Sequence, residues 1–218
     1  MSAPPARESL PLFPLNTVLF PGGLLSLQIF EVRYLDMIGK CHKNGTPFGV
    51  VSLVKGREVR ALDPRRPTGD AFPQEQFANV GTLARIVEFA APQAGLMTVR
   101  CVGQERFHIH QRSQLKHGLW MAEVSSIAPD QGMPIPEDLQ PIAYALARLL
   151  ETEQSAEARF EPLPIEQPYR LEDCGWVANR WCDLLALPSP VKQNLLQLEN
   201  PLLRLELVGD ILGKLQNA

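Results

Sequence analysis

The sequence predicts an α+β fold in which a β-barrel or curled sheet with one embedded helix is followed by a helical bundle. Before Pro129, six or seven apolar or alternating runs are bounded by Gly, Pro and Asn, which is typical of strands. Beyond Pro136 the apolar residues recur at helical spacing. We therefore predict a β-rich subdomain over residues 1–130 and an α-helical bundle over residues 137–218.

Charge divides the chain in the same way. Residues 1–118 carry 14 Lys and Arg against 9 Asp and Glu, a net charge of +5, whereas residues 119–218 carry 7 against 15, a net charge of −8. The full chain of 218 residues is 45% apolar, enough to bury a substantial core. No apolar run approaches the roughly 18 residues of a membrane span. The first nine residues, MSAPPARES, do not resemble a signal peptide, so we expect a cytoplasmic protein without membrane contact.

The opening segment LPLFPLNTVLFPGG (10–23) is apolar but contains Pro11, Pro14 and Pro21. Proline has no amide hydrogen and is excluded from helix interiors and central strands. We therefore predict a strand at the edge of the sheet and the corner that follows it.

The remaining β-rich region contains one helix among its strands. LLSLQIF (24–30) predicts a strand, and residues 31–43 predict a helix with Val32, Leu35, Ile38 and His42 on its apolar stripe. Further strands are predicted at 47–54, 79–89, 95–103, 105–111 and 119–127.

The C-terminal third shows helical spacing and helix start signals. Apolar stripes begin at Leu139 and at Cys174. Ser189-Pro190 and Asn200-Pro201 each place an N-cap residue before a proline at the first helical position. We interpret the four cysteines as small buried hydrophobic residues, at Cys41, Cys101, Cys174 and Cys182.

A metal site is an alternative for one strand. His108 and His110 are two residues apart, so both rings would lie on one face, with Cys101 and His117 as further candidate ligands. No Cys-x-x-Cys or His-Glu-x-x-His spacing accompanies them. We expect solvated histidines, and a metal-dependent enzyme is the weakest interpretation.

Five sequence blocks in order carry a family resemblance: LPLFPLNTVLFPGG, LSLQIFEVRYLDMI, VGTLARIVEF, GLMTVRCVGQERFHI and LALPSPVKQNLLQLENPLLRLEL. Together they resemble the N-terminal substrate-binding domain of the Lon ATP-dependent proteases, from about residue 10 to about residue 215. The resemblance implies a PUA-like β-barrel backed by a helical bundle. It also implies recognition of polypeptides.

The chemistry of a complete Lon protease is not expected here. A phosphate loop requires GxxxxGK followed by Ser or Thr, and no lysine of this chain precedes either residue. The chain also contains no Gly-x-Ser-x-Gly turn. We predict a non-catalytic module without cofactor, whose partners are polypeptide clients or a separate protease or chaperone component. A homodimer is compatible with the sequence.

RNA binding is the second alternative, because other proteins of the PUA-like fold bind RNA. Arg100, Arg106, Arg112 and Lys116 are opposed only by Glu105 between residues 95 and 118. However, the net charge of −3 provides little attraction to phosphate, and no aromatic residues interleave with these cations. We therefore regard a nucleic-acid partner as disfavoured.

Two features could bind a polypeptide. The first is the start of the embedded helix, where Glu31, Arg33 and Tyr34 match polar helix-start positions of the family; the alternative is that Tyr34 packs in the core and Glu31 favours the helix dipole. The second is the loop LDPRRPTGDAFPQEQF (62–77). Its Phe72 and Phe77 either anchor it to the sheet or offer an apolar contact to a partner. We predict that a client contacts the surface formed by Arg33 and residues 72–77.

Overall fold

A computed structural model describes residues 7–56, 75–155, 165 and 167–216. The chain forms two compact units, which we call the β unit and the helical unit. The β unit contains Met1–Pro21 and Leu25–Ala128. The helical unit contains Pro129–Ala218 together with the three-residue segment Gly22–Leu24. That segment belongs with the helices because the buried Arg180 donates a hydrogen bond to the carbonyl of Gly22, and Gly23 forms an antiparallel bridge with Ile165.

The described residues before Pro129 form seven strands and one helix, which confirms the mixed α+β class; the second strand begins at Leu24, the last residue of the segment that belongs to the helical unit. They are β1 Glu8–Leu15, β2 Leu24–Ile29, α1 Val32–Asn44, β3 Phe48–Lys55, β4 Gln76–Phe77, β5 Val80–Gln93, β6 Leu96–Gln114 and β7 Trp120–Ser126. The strand order is β1-β7-β6-β5-β3-β4, and β2 pairs with β6. Because β1 also pairs with β3, the pairings β1-β7-β6-β5-β3 form a closed ring.

Strand β1 accommodates its prolines in an unexpected way. It is not a strand at the edge of the sheet: residues 8–12 pair with β7, and residues 12–15 pair with β3. Pro11 lies in the first half and Pro14 in the second, so each proline lies where the strand pairs along one side. A missing amide is tolerated there because the other side of the backbone is not part of the ladder. Each half of β1 therefore pairs along one side, as an edge strand does, but the prediction that the whole strand lies at an edge is wrong.

The predicted apolar stripe of α1 is displaced by one position. The buried residues are Arg33, Tyr34, Met37, Ile38 and Cys41. Val32 is 80% exposed, and His42 stacks on Phe89 with ring centroids 4.2 Å apart. The helix ends at Gly45, whose φ of 65° is the left-handed conformation that favours glycine.

Strand β6 joins two predicted strands into one of 19 residues, and it forms a long hairpin with β5. Gly103 lies inside it, where a Cβ atom would be 2.2 Å from the carbonyl oxygen of Phe20. The sequence suggests a break here because glycine is typical of turns. In the structure this glycine instead permits the close approach of the segment that follows β1.

Described residues of the β unit form two apolar clusters. One packs α1 against the sheet and includes Phe13, Ile29, Tyr34, Ile38 and Phe48. The other lies between β1, β3, β6 and β7 and includes Leu12, Val51, Phe77, Phe107 and Val124.

The described residues of the helical unit form a short 3-10 turn, Glu137–Leu139, and four helices: α2 Gln140–Ser155, α3 Cys174–Leu184, α4 Ser189–Gln197 and α5 Pro201–Gln216. Asn200 caps α5 as predicted, since its side chain accepts hydrogen bonds from the amides of Leu202 and Leu203. The N-cap of α4 is Pro188, one residue before the predicted Ser189. An unpredicted cap, Asp173, accepts from the amides of Gly175 and Trp176 at the start of α3.

All four cysteines are free and buried, as predicted. Burial raises the pKa of Cys101 and of Cys182 to about 12, so these thiols are protonated and unreactive at neutral pH. In the described portion of the chain, every helix is too short or too polar to span a membrane.

Candidate functional site

A buried ion-pair network lies at the start of α1 and contains Arg33. The guanidinium is 5% exposed, and its Nη2 donates to Oε1 of Glu75 at 3.1 Å. Its Nε donates to Oε2 of Glu31 at 3.1 Å, and its Nη1 donates to the carbonyl of Gly118 at 3.1 Å. Arg33 therefore joins the helix start, the residue before β4 and the turn between β6 and β7. We call these residues, Glu31, Arg33 and Glu75, together with Trp120, whose indole donates a hydrogen bond to Glu75, the Arg33 network.

Electrostatics keep the Arg33 guanidinium charged despite its burial. Burial by itself lowers its pKa, but the interactions with Tyr34, Glu75 and Glu31 outweigh that effect and raise the pKa above its usual value. The guanidinium also lies over the ring of Tyr34, 4.3 Å from the centroid. Tyr34 is 2% exposed and stacks on Phe13 with centroids 3.9 Å apart.

Glu75 connects this network to Phe77. The carboxylate of Glu75 accepts a hydrogen bond from the indole of Trp120 at 2.6 Å. The Trp120 ring meets the ring of Phe77 edge to face, with centroids 5.4 Å apart. The guanidinium of Arg112 lies over the Phe77 ring, 4.4 Å from the ring centroid. The same guanidinium donates a hydrogen bond to the Phe77 carbonyl at 3.0 Å. Phe77 itself is 4% exposed.

The structure thus connects four of the five residues that the sequence singles out: Glu31, Arg33, Tyr34 and Phe77. Phe72 lies outside the described residues. The buried positions of Tyr34 and Phe77 agree with the alternatives in which they pack in the core. Sequence reasoning missed Glu75 and Trp120, because their hydrogen bond spans 45 positions and no local pattern specifies it. Client binding by this surface stays a prediction.

Several exposed apolar residues lie close in sequence to members of the Arg33 network or to the segments that they contact. Phe30 is 54% exposed and Val32 is 80% exposed, on either side of Glu31. Leu115 is 43% exposed in the turn that supplies the Gly118 carbonyl, and Val54 is 73% exposed at the end of β3, next to the β4 pairing. Such side chains favour a contact surface because they gain free energy when a partner removes them from water.

Two clefts border strand β2. The larger, about 600 Å³, is lined by β2, β5 and β6, and it includes Ser26, Gln28, Phe89 and Thr98. The smaller, about 200 Å³, is lined by β1, β2 and the start of α1, and it includes Phe13, Leu27, Phe30 and Tyr34. Both clefts lie within the β unit, and the three residues Ser26, Leu27 and Gln28 line both.

The histidine pair forms no cluster suited to a metal. His108 and His110 share one face of β6 with ring centroids 5.2 Å apart, as predicted, and His110 Nε2 lies 2.8 Å from Ser125 Oγ. Cys101 is fully buried. Across the described ranges, no three His, Cys, Asp or Glu side chains lie together as metal ligands.

The basic residues considered for RNA are largely engaged within the protein. Arg100 forms an ion pair with Glu88. Arg106 is only 3% exposed, and Arg112 hydrogen bonds to Asn79 while covering Phe77. Burial also lowers the pKa of Arg112. These contacts leave little of the predicted cationic strip available for phosphate.

Comparisons with known proteins agree with this architecture. A Lon protease from Flavobacterium johnsoniae is 31% identical over 104 residues, which are 47% of this chain and 11% of that protease. The chain is therefore similar to a small part of that relative.

Solved structures match over most of the chain. The Lon N-terminal domain protein from Xanthomonas campestris is 30% identical, with a TM-score of 0.68 over 92% of this chain and 96% of that one. The N-terminal domain of a Mycobacterium avium complex Lon protease shares the fold at 14% identity, with a TM-score of 0.57 over 93% and 97% of the two chains. The family model of the ATP-dependent protease La (LON) substrate-binding domain matches residues 9–214. The chain therefore belongs to the family of Lon substrate-binding domains.

Proposed function

We propose that this chain is a recognition module that binds partly unfolded polypeptides through its β unit and catalyses no reaction itself. The family match over residues 9–214 carries this proposal, because the family is described by substrate binding. The arrangement around the Arg33 network supports it: Glu31, which forms an ion pair with the buried Arg33, lies between exposed Phe30 and Val32 in the chain.

The physical basis is pre-organisation. A contact surface gains affinity when its side chains are already ordered, since less conformational entropy is lost on binding. The ion pairs of Arg33 with Glu31 and Glu75 fix the backbone on which Phe30 and Val32 lie. An unfolded client offers apolar side chains that a folded protein buries, and these side chains would cover Phe30 and Val32.

The experiment is to measure casein binding to the variant Phe30→Ser with Val32→Ser. We expect binding to weaken about tenfold, equivalent to about 1.4 kcal/mol, because two apolar contacts are lost. The melting temperature should change little, since both side chains are exposed. The matched control is Tyr144→Ser with Val191→Ser, which removes two exposed apolar side chains from the helical unit.

Equal binding by the two double variants would contradict a site at the start of α1. Failure of the wild-type protein to bind any unfolded polypeptide would contradict the proposed function as a whole.

The non-catalytic part of the proposal has its own test. The purified protein should hydrolyse neither ATP nor casein, because the sequence has no phosphate loop and no activated serine turn. Hydrolysis that persisted through further purification, in proportion to the amount of protein, would overturn it. Neither RNA binding nor metal-dependent catalysis is favoured by a specific contact of the described residues.

A further inference from the structure

The smaller cleft beside β2 has the size and the apolar lining to hold one side chain. Its volume is about 200 Å³. By comparison, a protein cavity of about 150 Å³ lined by Leu, Ile and Phe binds benzene. Four residues of the lining belong to the core of the β unit: Phe13, Leu15, Ile29 and Tyr34. The cleft therefore has room for one aromatic ring against an apolar wall.

The rim of this cleft carries a carboxylate with an unused oxygen. Glu31 is the one charged side chain among the described residues that line the cleft. Its Oε2 accepts the hydrogen bond from Arg33 at 3.1 Å, whereas its Oε1 accepts none from the described residues. Only 19% of the Glu31 side chain is exposed. An occupant would displace the remaining water, so it must bring an N–H or O–H group to Oε1, because a covered carboxylate oxygen without a donor is destabilising.

The surroundings of Glu31 favour an uncharged donor over a cation. The Arg33 guanidinium is bound to the same carboxylate. Glu31 is also the N-cap residue of α1, where the helix dipole places partial positive charge. Both would repel a lysine or arginine side chain, whereas an indole N–H or a phenol O–H carries no net charge. The Arg33 network already contains such a pair, since the Trp120 indole donates to Glu75 at 2.6 Å.

We propose that the smaller cleft binds one tryptophan or tyrosine side chain of a client, whose N–H or O–H group donates to Oε1 of Glu31. This inference rests on the proposed function and names the side chain that the client inserts. Phe30 also lines the cleft and is 54% exposed, so it offers the inserted ring a further aromatic contact. Phenylalanine or leucine would fill the same space but leave the carboxylate oxygen without a donor. The cleft therefore selects for the donor as well as for apolar surface.

The test of the hydrogen bond compares two nearly isosteric peptides by nuclear magnetic resonance titration. Both are acetylated and amidated Gly-Ser repeats with one central residue, which is tryptophan in the first. In the second it is benzothienylalanine, where sulfur replaces the indole N–H. The tryptophan peptide should bind roughly tenfold more tightly or better, because hydrogen bonds to charged groups are strong. Equal affinities, or no binding of the tryptophan peptide, overturn the proposal. So does equally tight binding of a third peptide with a central lysine.

The test of location uses protein variants and direct contacts. Glu31→Ala should bind the two aromatic peptides equally, because the acceptor is gone. The matched control Glu123→Ala removes a carboxylate that pairs with Arg7 and should keep the wild-type ratio of affinities. In the wild-type protein, nuclear Overhauser effects should connect the bound indole to methyl groups of Leu15, Leu27 or Ile29. A ratio that persists in Glu31→Ala, or contacts confined to residues outside the cleft, overturns the proposal.

The contact measurement needs no variant, so it decides the question even if Glu31→Ala does not fold. If the two aromatic peptides bind equally while casein binds the wild-type protein, the inference fails and the recognition function stands. If casein does not bind the wild-type protein, both fail. Tyr144 is 62% exposed and offers an O–H group on another copy of the chain. If the wild-type protein dimerises in sedimentation experiments and Tyr144→Ala is monomeric, a second copy occupies the cleft, and the proposal is overturned.

Discussion

The two units each bury an arginine, but the two arginines have different surroundings. Arg204 in the helical unit is 1% exposed and holds Asp130, Asn179 and the last carbonyls of α4. Arg33 in the β unit is 5% exposed and pairs with two glutamates beside exposed apolar side chains. A buried charge therefore does not by itself indicate a binding site. What distinguishes the two regions is the degree of apolar exposure: Phe30 and Val32 near Arg33 are 54% and 80% exposed, whereas Leu203 and Leu207 near Arg204 are 41% and 38% exposed.

Replacement of Arg204 by methionine should have the largest effect on stability. It would remove the hydrogen bonds that the guanidinium donates to the Asp130 carboxylate and to the carbonyls of Leu195 and Leu198. Loss of one partner from a buried ion pair costs about 3–5 kcal/mol. Urea denaturation measures the change, and Arg148→Met, at an exposed position of α2, is the control. If the two variants were equally stable, Arg204 would not stabilise the helical unit as we argue.

Phe77→Ala should have the next largest effect, in the β unit. Phe77 packs between Trp120 and Arg112, so its truncation leaves a cavity, and such changes typically cost about 3–5 kcal/mol. We expect a loss near 3 kcal/mol and a melting temperature lower by several degrees. Phe30→Ala, at a phenylalanine that is 54% exposed, is the control. An unchanged melting temperature with weaker casein binding would instead favour a direct client contact by Phe77.

The smallest predicted effect concerns pH and the helical unit. Burial raises the pKa of Asp183 to about 6 from an ordinary 3.8, although Arg180 and Lys192 oppose the shift. The folded state then binds a proton more tightly than the unfolded state, so the contribution of Asp183 to stability rises as the pH falls from about 6 towards 4. Relative to Asp183→Asn, the wild-type protein should gain about 1 kcal/mol in free energy of unfolding between pH 7 and pH 5.

Urea denaturation of both proteins at the two pH values measures this difference. A constant difference between them would show that Asp183 keeps an ordinary pKa through its ion pair with Arg180.

Local patterns predicted the elements well and the long-range contacts poorly. Asn200 is recognisable as a cap because the residues it binds are two and three positions away. The pairing of Arg33 with Glu75 spans 42 positions, and no local pattern specifies it. The stripe of α1 was misassigned because Val32, an apolar residue, lies exposed while Arg33 is buried. The ion pairs with Glu31 and Glu75 stabilise the buried position of Arg33. The long-range pair with Glu75 forms only when the chain folds.

The double pairing of β1 also has a consequence for the order in which the protein folds. Residues 8–12 pair with Trp120 to Val124 of β7, so the ring of strands cannot close until these residues have been synthesised. Contacts between such distant segments are slow to form because a long loop must close first. On the ribosome, residues 8–12 therefore wait for the last strand of the ring, whereas residues 12–15 can pair with β3 as soon as that strand is made. Leu10 stays without its β7 partner during that interval.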